Sequence, residues 1–214
     1  MATTADAIVI GGGVVGASAL FHLQAAGLRR VILCERRQSG AGATGRSGAF
    51  LQLHFCQNVP EAALTLASMP YFEHWVELVG AGACDFVRAG YLRLEPPERE
   101  QALRDRVALL HSLGVETGIL GPDDVARMAP YLRTDGIAVA AYEPGAGYAD
   151  AGGTVAGFLA AARAGGGGAV LTDTTVTGIR TAGGTPAAAA APAPTGYPLA
   201  GVAAGVRSKG AHQT

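Results

Sequence analysis

Ala7-Ile8-Val9-Ile10-Gly11-Gly12-Gly13-Val14-Val15-Gly16 is the stretch that decides the fold. Its four leading apolar residues predict a short strand. The glycines end it, and apolar Val15, Ala19, Leu20 and Leu23 recur at helical spacing, predicting a helix over about 14–26 with Gly27 as its stop. Gly11, Gly13 and Gly16 have the spacing G-x-G-x-x-G. Gly11 permits a tight turn, Gly13 lets a pyrophosphate approach the backbone, and Gly16 lets the helix lie close to the sheet. The first helical turn, at Val14 and Val15, aims free N–H groups and a partial positive charge at a phosphate.

A second strand is predicted over Arg30–Glu35, ending in an acid. Glu35 lies 19 residues past Gly16 (35 − 16), the position at which a carboxylate meets a ribose diol. It can accept hydrogen bonds from the 2′- and 3′-hydroxyls and would repel a 2′-phosphate, which argues against NADP. Arg36, next along the chain, joins it as a candidate cofactor contact. This fingerprint fits NAD and FAD equally, because both carry an ADP half.

The bulk properties exclude several classes. The 214 residues, with 16 Lys and Arg against 17 Asp and Glu, have a net charge of −1. That offers no electrostatic pull toward nucleic acid or an acidic membrane. The start lacks the basic and apolar regions of a secretion signal, and no apolar run reaches membrane-spanning length. Three cysteines, Cys34, Cys56 and Cys84, at wide spacing fit neither a disulfide framework nor a zinc site, and reduced thiols point to the cytoplasm. Oligomeric state is left open.

After Glu35 a second glycine-rich run follows, Gly42-Ala43-Thr44-Gly45-Arg46-Ser47-Gly48-Ala49. A simple NAD-binding Rossmann domain needs nothing of this kind there. With the first turn and Glu35, this run resembles the D-amino-acid oxidase group of FAD-dependent oxidoreductases, which includes the sarcosine, dimethylglycine and glycine oxidases. The resemblance continues through Ala89–Leu94 as a strand, a helix over 98–113, Gly121–Leu132 as a short helix that Asp123 or Asp124 would cap, and a long helix opened by Asp150. Ala151 stands where the family usually has proline, and Gln52 where some relatives have arginine.

The resemblance implies an α/β fold. A Rossmann-type FAD-binding domain would span 1–60 and 145–180, and part of an α+β substrate domain 61–144. It implies that Gly11, Gly13, Val14, Val15, Gly16, Glu35, Arg36, Ala43, Thr44, Gly45, Arg46, Ser47 and Gly48 contact FAD, with the Val176 backbone facing adenine. It further implies oxidation of a small amine or amino acid. Hydride from the carbon beside nitrogen would pass to flavin N5, and the resulting imine would hydrolyse. No catalytic acid or base is assigned. His54 reads first as a packing residue, with a place near the flavin as the lesser alternative. His22 reads as surface, and His74 with Trp75 as helix packing.

From Thr181 the chain turns to Ala, Gly and Pro without periodicity, which reads as a flexible, partly extended tail; Gly201–Val206 is the alternative as an edge strand. The resemblance implies a second half that is not recognisable here, and so a tail unrelated to the family or frame-shifted. The chain thus reads as the N-terminal half of such an enzyme, at best marginally stable alone. The alternative function is a truncated, non-catalytic nucleotide-binding remnant. A third reading, an NAD-dependent dehydrogenase, is disfavoured by the run at 40–48.

Overall fold

The computed structural model describes residues 5–182, 185–192 and 203–205. In chain order the elements are β1 (Ala7–Ile10), α1 (Val14–Ala25), β2 (Val31–Cys34), a 3-10 turn at Thr44–Arg46, β3 (Phe50–Leu51), α2 (Val59–Glu73), α3 (Trp75–Leu78), β4 (Tyr91–Glu95), a 3-10 turn at Pro97–Arg99, α4 (Glu100–Ser112) and β5 (Gly118–Leu120). Then come α5 (Pro122–Met128), β6 (Val139–Glu143), β7 (Gly147–Tyr148), α6 (Ala151–Ala164), β8 (Gly168–Leu171), β9 (Thr174–Ala182), β10 (Thr185–Pro192) and β11 (Ala203–Gly205).

These elements form two compact units. The first holds the chain up to Ser47, Trp75–Cys84 and everything from Asp150 onward; the second holds Gly48–His74 and Asp85–Ala149. Residues 48–60, expected with the nucleotide-binding part, thus fall in the second unit, and 75–84 fall in the first.

The first unit is built on a parallel sheet in the order β1-β2-β8, with Ala7 opposite Val31 and Val31 opposite Gly168. Central β2 is buried at all four positions, as a parallel strand covered on both faces requires. Helix α6 buries Thr154, Val155, Phe158, Leu159 and Ala162 at helical spacing. Phe158 meets Phe21 of α1 and Trp75, with ring centroids 5.4 and 4.9 Å apart. A Cβ on Gly157 would come within 2.5 Å of the Trp75 ring, so the glycine makes that packing possible. Asp150 caps α6, its Oδ1 accepting the Gly152 N–H at 2.8 Å, and the absence of a following proline costs this start nothing visible.

Three expectations need correction. The region from Thr181, expected as a flexible, partly extended tail, holds paired strands: β10 pairs antiparallel with β9, and β11 pairs with β10. Short Ala-rich runs lack periodicity, yet a ladder needs only backbone groups, so hairpin pairing escapes a side-chain pattern. The edge-strand alternative holds for Ala203–Gly205; the rest of that expectation falls outside the described residues. Second, α5 is capped by Gly121 with Pro122 after it, while Asp124 accepts the Gly121 N–H at 3.0 Å; Asp123 and Asp124 sit within the first turn. Third, α2 stops at Glu73 and the chain breaks at His74, which is exposed, whereas Trp75 is buried. Pro70 in the last turn of α2 favours that break.

The second unit holds an antiparallel sheet in the order β4-β6-β5, with Tyr91 opposite Glu143 and Gly118 opposite Tyr142. Leu103 and Val107 of α4 pack on Val139, Ala141 and Ile119 of that sheet. A smaller pair, β3 with β7, sets Phe50 opposite Tyr148.

Candidate functional site

The turn after β1 is built as its glycines require. Gly11 has φ +103°, a conformation that disfavours any side chain, and its N–H donates to the Cys34 carbonyl at 2.9 Å, tying the turn to the end of β2. A Cβ on Gly16 would stand 1.9 Å from the Gly11 carbonyl oxygen. The helix therefore reaches its seat on the turn only with glycine at that position.

Gly13 precedes α1 and has no side chain to cap it. The cap comes from elsewhere in the chain: Thr44 Oγ1 accepts the Val14 N–H at 3.0 Å. A Cβ on Gly13 would come within 3.0 Å of that same oxygen. Sequence reasoning placed Thr44 near phosphate but missed this capping role. Nothing local marks a cap supplied by a residue thirty positions away.

The second glycine run folds over the first turn. The Gly40 N–H donates to Gly12 O and the Gly45 N–H to Gly40 O, both at 2.8 Å. Glu35, just past β2, accepts the Gly12 N–H at 2.7 Å through Oε2 and the Arg37 N–H at 2.8 Å through Oε1. Each oxygen keeps a further lone pair.

Gly11, Gly13, Val14, Val15 and Gly16 line one cleft of about 400 Å³ together with Glu35, Arg36, Ala43 and Thr44. Gly42, which opens the second glycine run, and Arg37 line it too, although neither is among the residues expected to contact FAD. Gly45 and Arg46 lie in the adjacent 3-10 turn, Arg46 exposed, and Ser47 closes that turn. Gly48 falls in the second unit. Val176 is on β9, opposite Ala190, and its side chain packs against the cluster of Ala5, Ile32 and Cys34.

His54 and Gln52 are in the second unit. His54 is fully buried, and Nε2 meets Thr117 Oγ1 at 2.8 Å. That hydroxyl donates to the Tyr142 carbonyl at 2.9 Å, so the ring nitrogen is the donor to it, and Nδ1 has no partner among the described residues. Burial, then the charges of Arg93 and Arg106, lower the His54 pKa to about 4. Glu143, 4.0 Å from His54 Nε2, is pushed up by burial, against the pull of the Leu53 and His54 backbone N–H groups. Gln52 is buried and accepts the Phe55 N–H at 3.1 Å. His22 is exposed. The three cysteines are buried and form no disulfide, and among the described residues no group of three or more His, Cys, Asp or Glu could hold a metal ion.

The family model for FAD dependent oxidoreductases matches residues 6–212. The chain belongs to that family. The match runs well past Thr181, against the unrelated or frame-shifted tail that the resemblance implied. The chain is 31% identical to mitochondrial dimethylglycine dehydrogenase of Rattus norvegicus over 147 residues, 68% of this chain and 17% of that one. Glycine oxidase from Geobacillus kaustophilus is 26% identical, with a TM-score of 0.73 over 87% of this chain and 51% of that one. L-proline dehydrogenase from P. horikoshii shares the fold, with a TM-score of 0.78 at 23% identity over 89% of this chain and 50% of that one. This FAD dependent oxidoreductase chain thus spans about half the length of the solved relatives and about a sixth of the rat protein. No helix among its described residues is long and apolar enough to cross a membrane.

Proposed function

We propose that this chain binds FAD through the cleft of its first unit and serves oxidation of a small amine or amino acid at a C–N bond. The observation that carries the reading is the double closure of the cleft. Gly13 leaves open the space beside the N-terminus of α1 that a side chain would fill, and Thr44 caps that N-terminus while lining the same space. A pyrophosphate there would meet backbone N–H groups and the positive end of a 12-residue helix.

The residues fit the group. Gly11, Gly13, Val14, Val15 and Gly16 would face the pyrophosphate. Ala43, Thr44, Gly45, Arg46, Ser47 and Gly48 belong to the run that would wrap it, with Arg46 offering charge. The remaining lone pairs of Glu35 suit the ribose diol, Arg36 lies next to it, and the Val176 backbone would serve adenine. Bound flavin supplies a two-electron acceptor for the substrate carbon beside nitrogen. The names of the relatives, dimethylglycine dehydrogenase and glycine oxidase, support a small amino acid as the substrate class.

The test is visible absorption of the purified chain after gel filtration, with and without added FAD. A co-eluting flavin band, bleached anaerobically by N-methylated glycines, is the expected result. A flavin band that no amine bleaches would favour the second reading, a nucleotide-binding module without turnover. Absence of any flavin band would sink both.

A further inference from the structure

At the other end of α1 from the cleft at Gly13 and Thr44, the first unit has a second cavity, of about 450 Å³. Two turns wall it: residues 27–29 lead from α1 into β2, and 165–167 lead from α6 into β8. Gln24, in the last turn of α1, lines it as well. Gln24 Nε2 and Oε1 are both buried, and neither has a hydrogen-bond partner among the described residues. A buried amide normally has both needs met, and one that has neither met bears the full cost of desolvation. It rests on backbone that only glycine leaves open. A Cβ on Gly167 would stand 3.0 Å from Nε2, and a Cβ on Gly168 would stand 3.0 Å from each of the two atoms. Because the amide makes no bond in that seat, turning about its side-chain torsions into the cavity forfeits none.

The surroundings narrow the ligand. Helices α1 and α6 both end at this cavity, and a helix C-terminus has a partial negative charge. Exposed Arg29 puts a positive charge on the same rim. The amide adds a stricter demand, an acceptor for Nε2 and a donor for Oε1 side by side. A carboxylate has no donor for Oε1. An ammonium or guanidinium group has no acceptor for Nε2. A primary carboxamide has both, and two amides pair through two parallel hydrogen bonds. A water molecule has both too, but fills only about 30 Å³.

We infer that this cavity is a binding site for a small amino acid with a primary carboxamide side chain. Gln24 pairs with that carboxamide, Arg29 takes the carboxylate, and the ends of α1 and α6 face the ammonium group. The site is separate from the flavin cleft and does not rest on the amine-oxidising reading.

The test isotope-labels the glutamine side chains of the full chain and follows their amide NMR signals, that of Gln24 being assigned with Gln24→Leu. Glutamine, asparagine, glutamate and aspartate are titrated in turn, with and without FAD. The Gln24 signal should move to saturation with glutamine, asparagine or both, each bound about tenfold more tightly than the corresponding acid. Calorimetry should find no binding in Gln24→Leu. That variant should unfold at a urea concentration equal to or above that of the parent, because leucine buries no unpaired amide. Gly168→Ala crowds the amide and turns it out of its seat, so it should tighten binding severalfold. A Gln24 signal that no amino acid moves, as when water alone meets the amide, overturns the site. So do equal affinities for glutamine and glutamate, or for asparagine and aspartate. Loss of the response on adding FAD would put the amino acid in the flavin cleft, and overturns the site as well.

Discussion

At position 16 there is no room for a single added carbon. A Cβ would lie 1.9 Å from the Gly11 carbonyl oxygen, so Gly16→Ala must push α1 off the turn. We expect a loss of roughly 1–3 kcal/mol in urea unfolding, together with loss of FAD co-elution. Thr44 separates capping from size. Thr44→Val removes the acceptor for the Val14 N–H and should cost about 1 kcal/mol, whereas Thr44→Ser keeps the oxygen and should restore both stability and flavin affinity. His54 gives a prediction in pH. Its pKa of about 4 in the folded chain lies below the unfolded value of 6.5, so its contribution is present above pH 6.5 and is lost as pH falls toward 4. The amount is roughly 3 kcal/mol. Glu143 works in the opposite sense, because burial raises its pKa and its contribution grows as pH falls. Urea midpoints at pH 7.5 and 5 should therefore converge in His54→Gln relative to the parent chain, since only the histidine contribution is removed. Unchanged separation in the variant would refute that assignment. The sequence favoured packing over a flavin neighbour for this histidine, and it is buried; its partners were not legible, because Thr117 and Glu143, far along the chain, decide its surroundings.

Among the elements, legibility followed how local the determining contact is. Strand β1, helix α1 and strand β2 were readable because apolar runs, glycine spacing and a terminal acid all lie within one stretch. Helix α6 was readable from Asp150, whose carboxylate caps it two residues on. Asp150→Ala should cost about 1 kcal/mol in thermal or urea unfolding, and Asp150→Asn little. The break between α2 and α3 was not readable, since His74 and Trp75 sit at helical spacing with their neighbours. Trp75 leaves that spacing because its ring packs on Phe158 and Gly157 and its Nε1–H donates to the Ala81 carbonyl at 2.9 Å. Trp75→Phe, which keeps the ring contact but drops the donor, should cost about 1 kcal/mol by urea unfolding.

For the whole molecule the decisive quantity is the coupling of cofactor to folding. A ligand that binds only the folded chain stabilises it by about 2.7 kcal/mol at a hundred times its dissociation constant. FAD should therefore raise the unfolding temperature in a concentration-dependent way, and NADP should not, because Glu35 opposes a 2′-phosphate. An equal shift with NADP would contradict the role given to Glu35. The expected marginal stability of the chain is checked in the same experiment by the unfolding temperature without FAD.

The sequence by itself determined the β1–α1–β2 unit, the acid at the end of β2 and the identity of the cofactor family. Those features rest on backbone conformations that only glycine reaches and on residues close together in the chain. The tertiary structure alone decided that Thr44 caps α1, that Ala-rich β10 pairs with β9, and that Glu143, Arg93 and Arg106 converge on the turn at 52–56. Each joins groups with no shared period or motif, and a contact between distant residues is specified by packing of the whole fold, which no local pattern records.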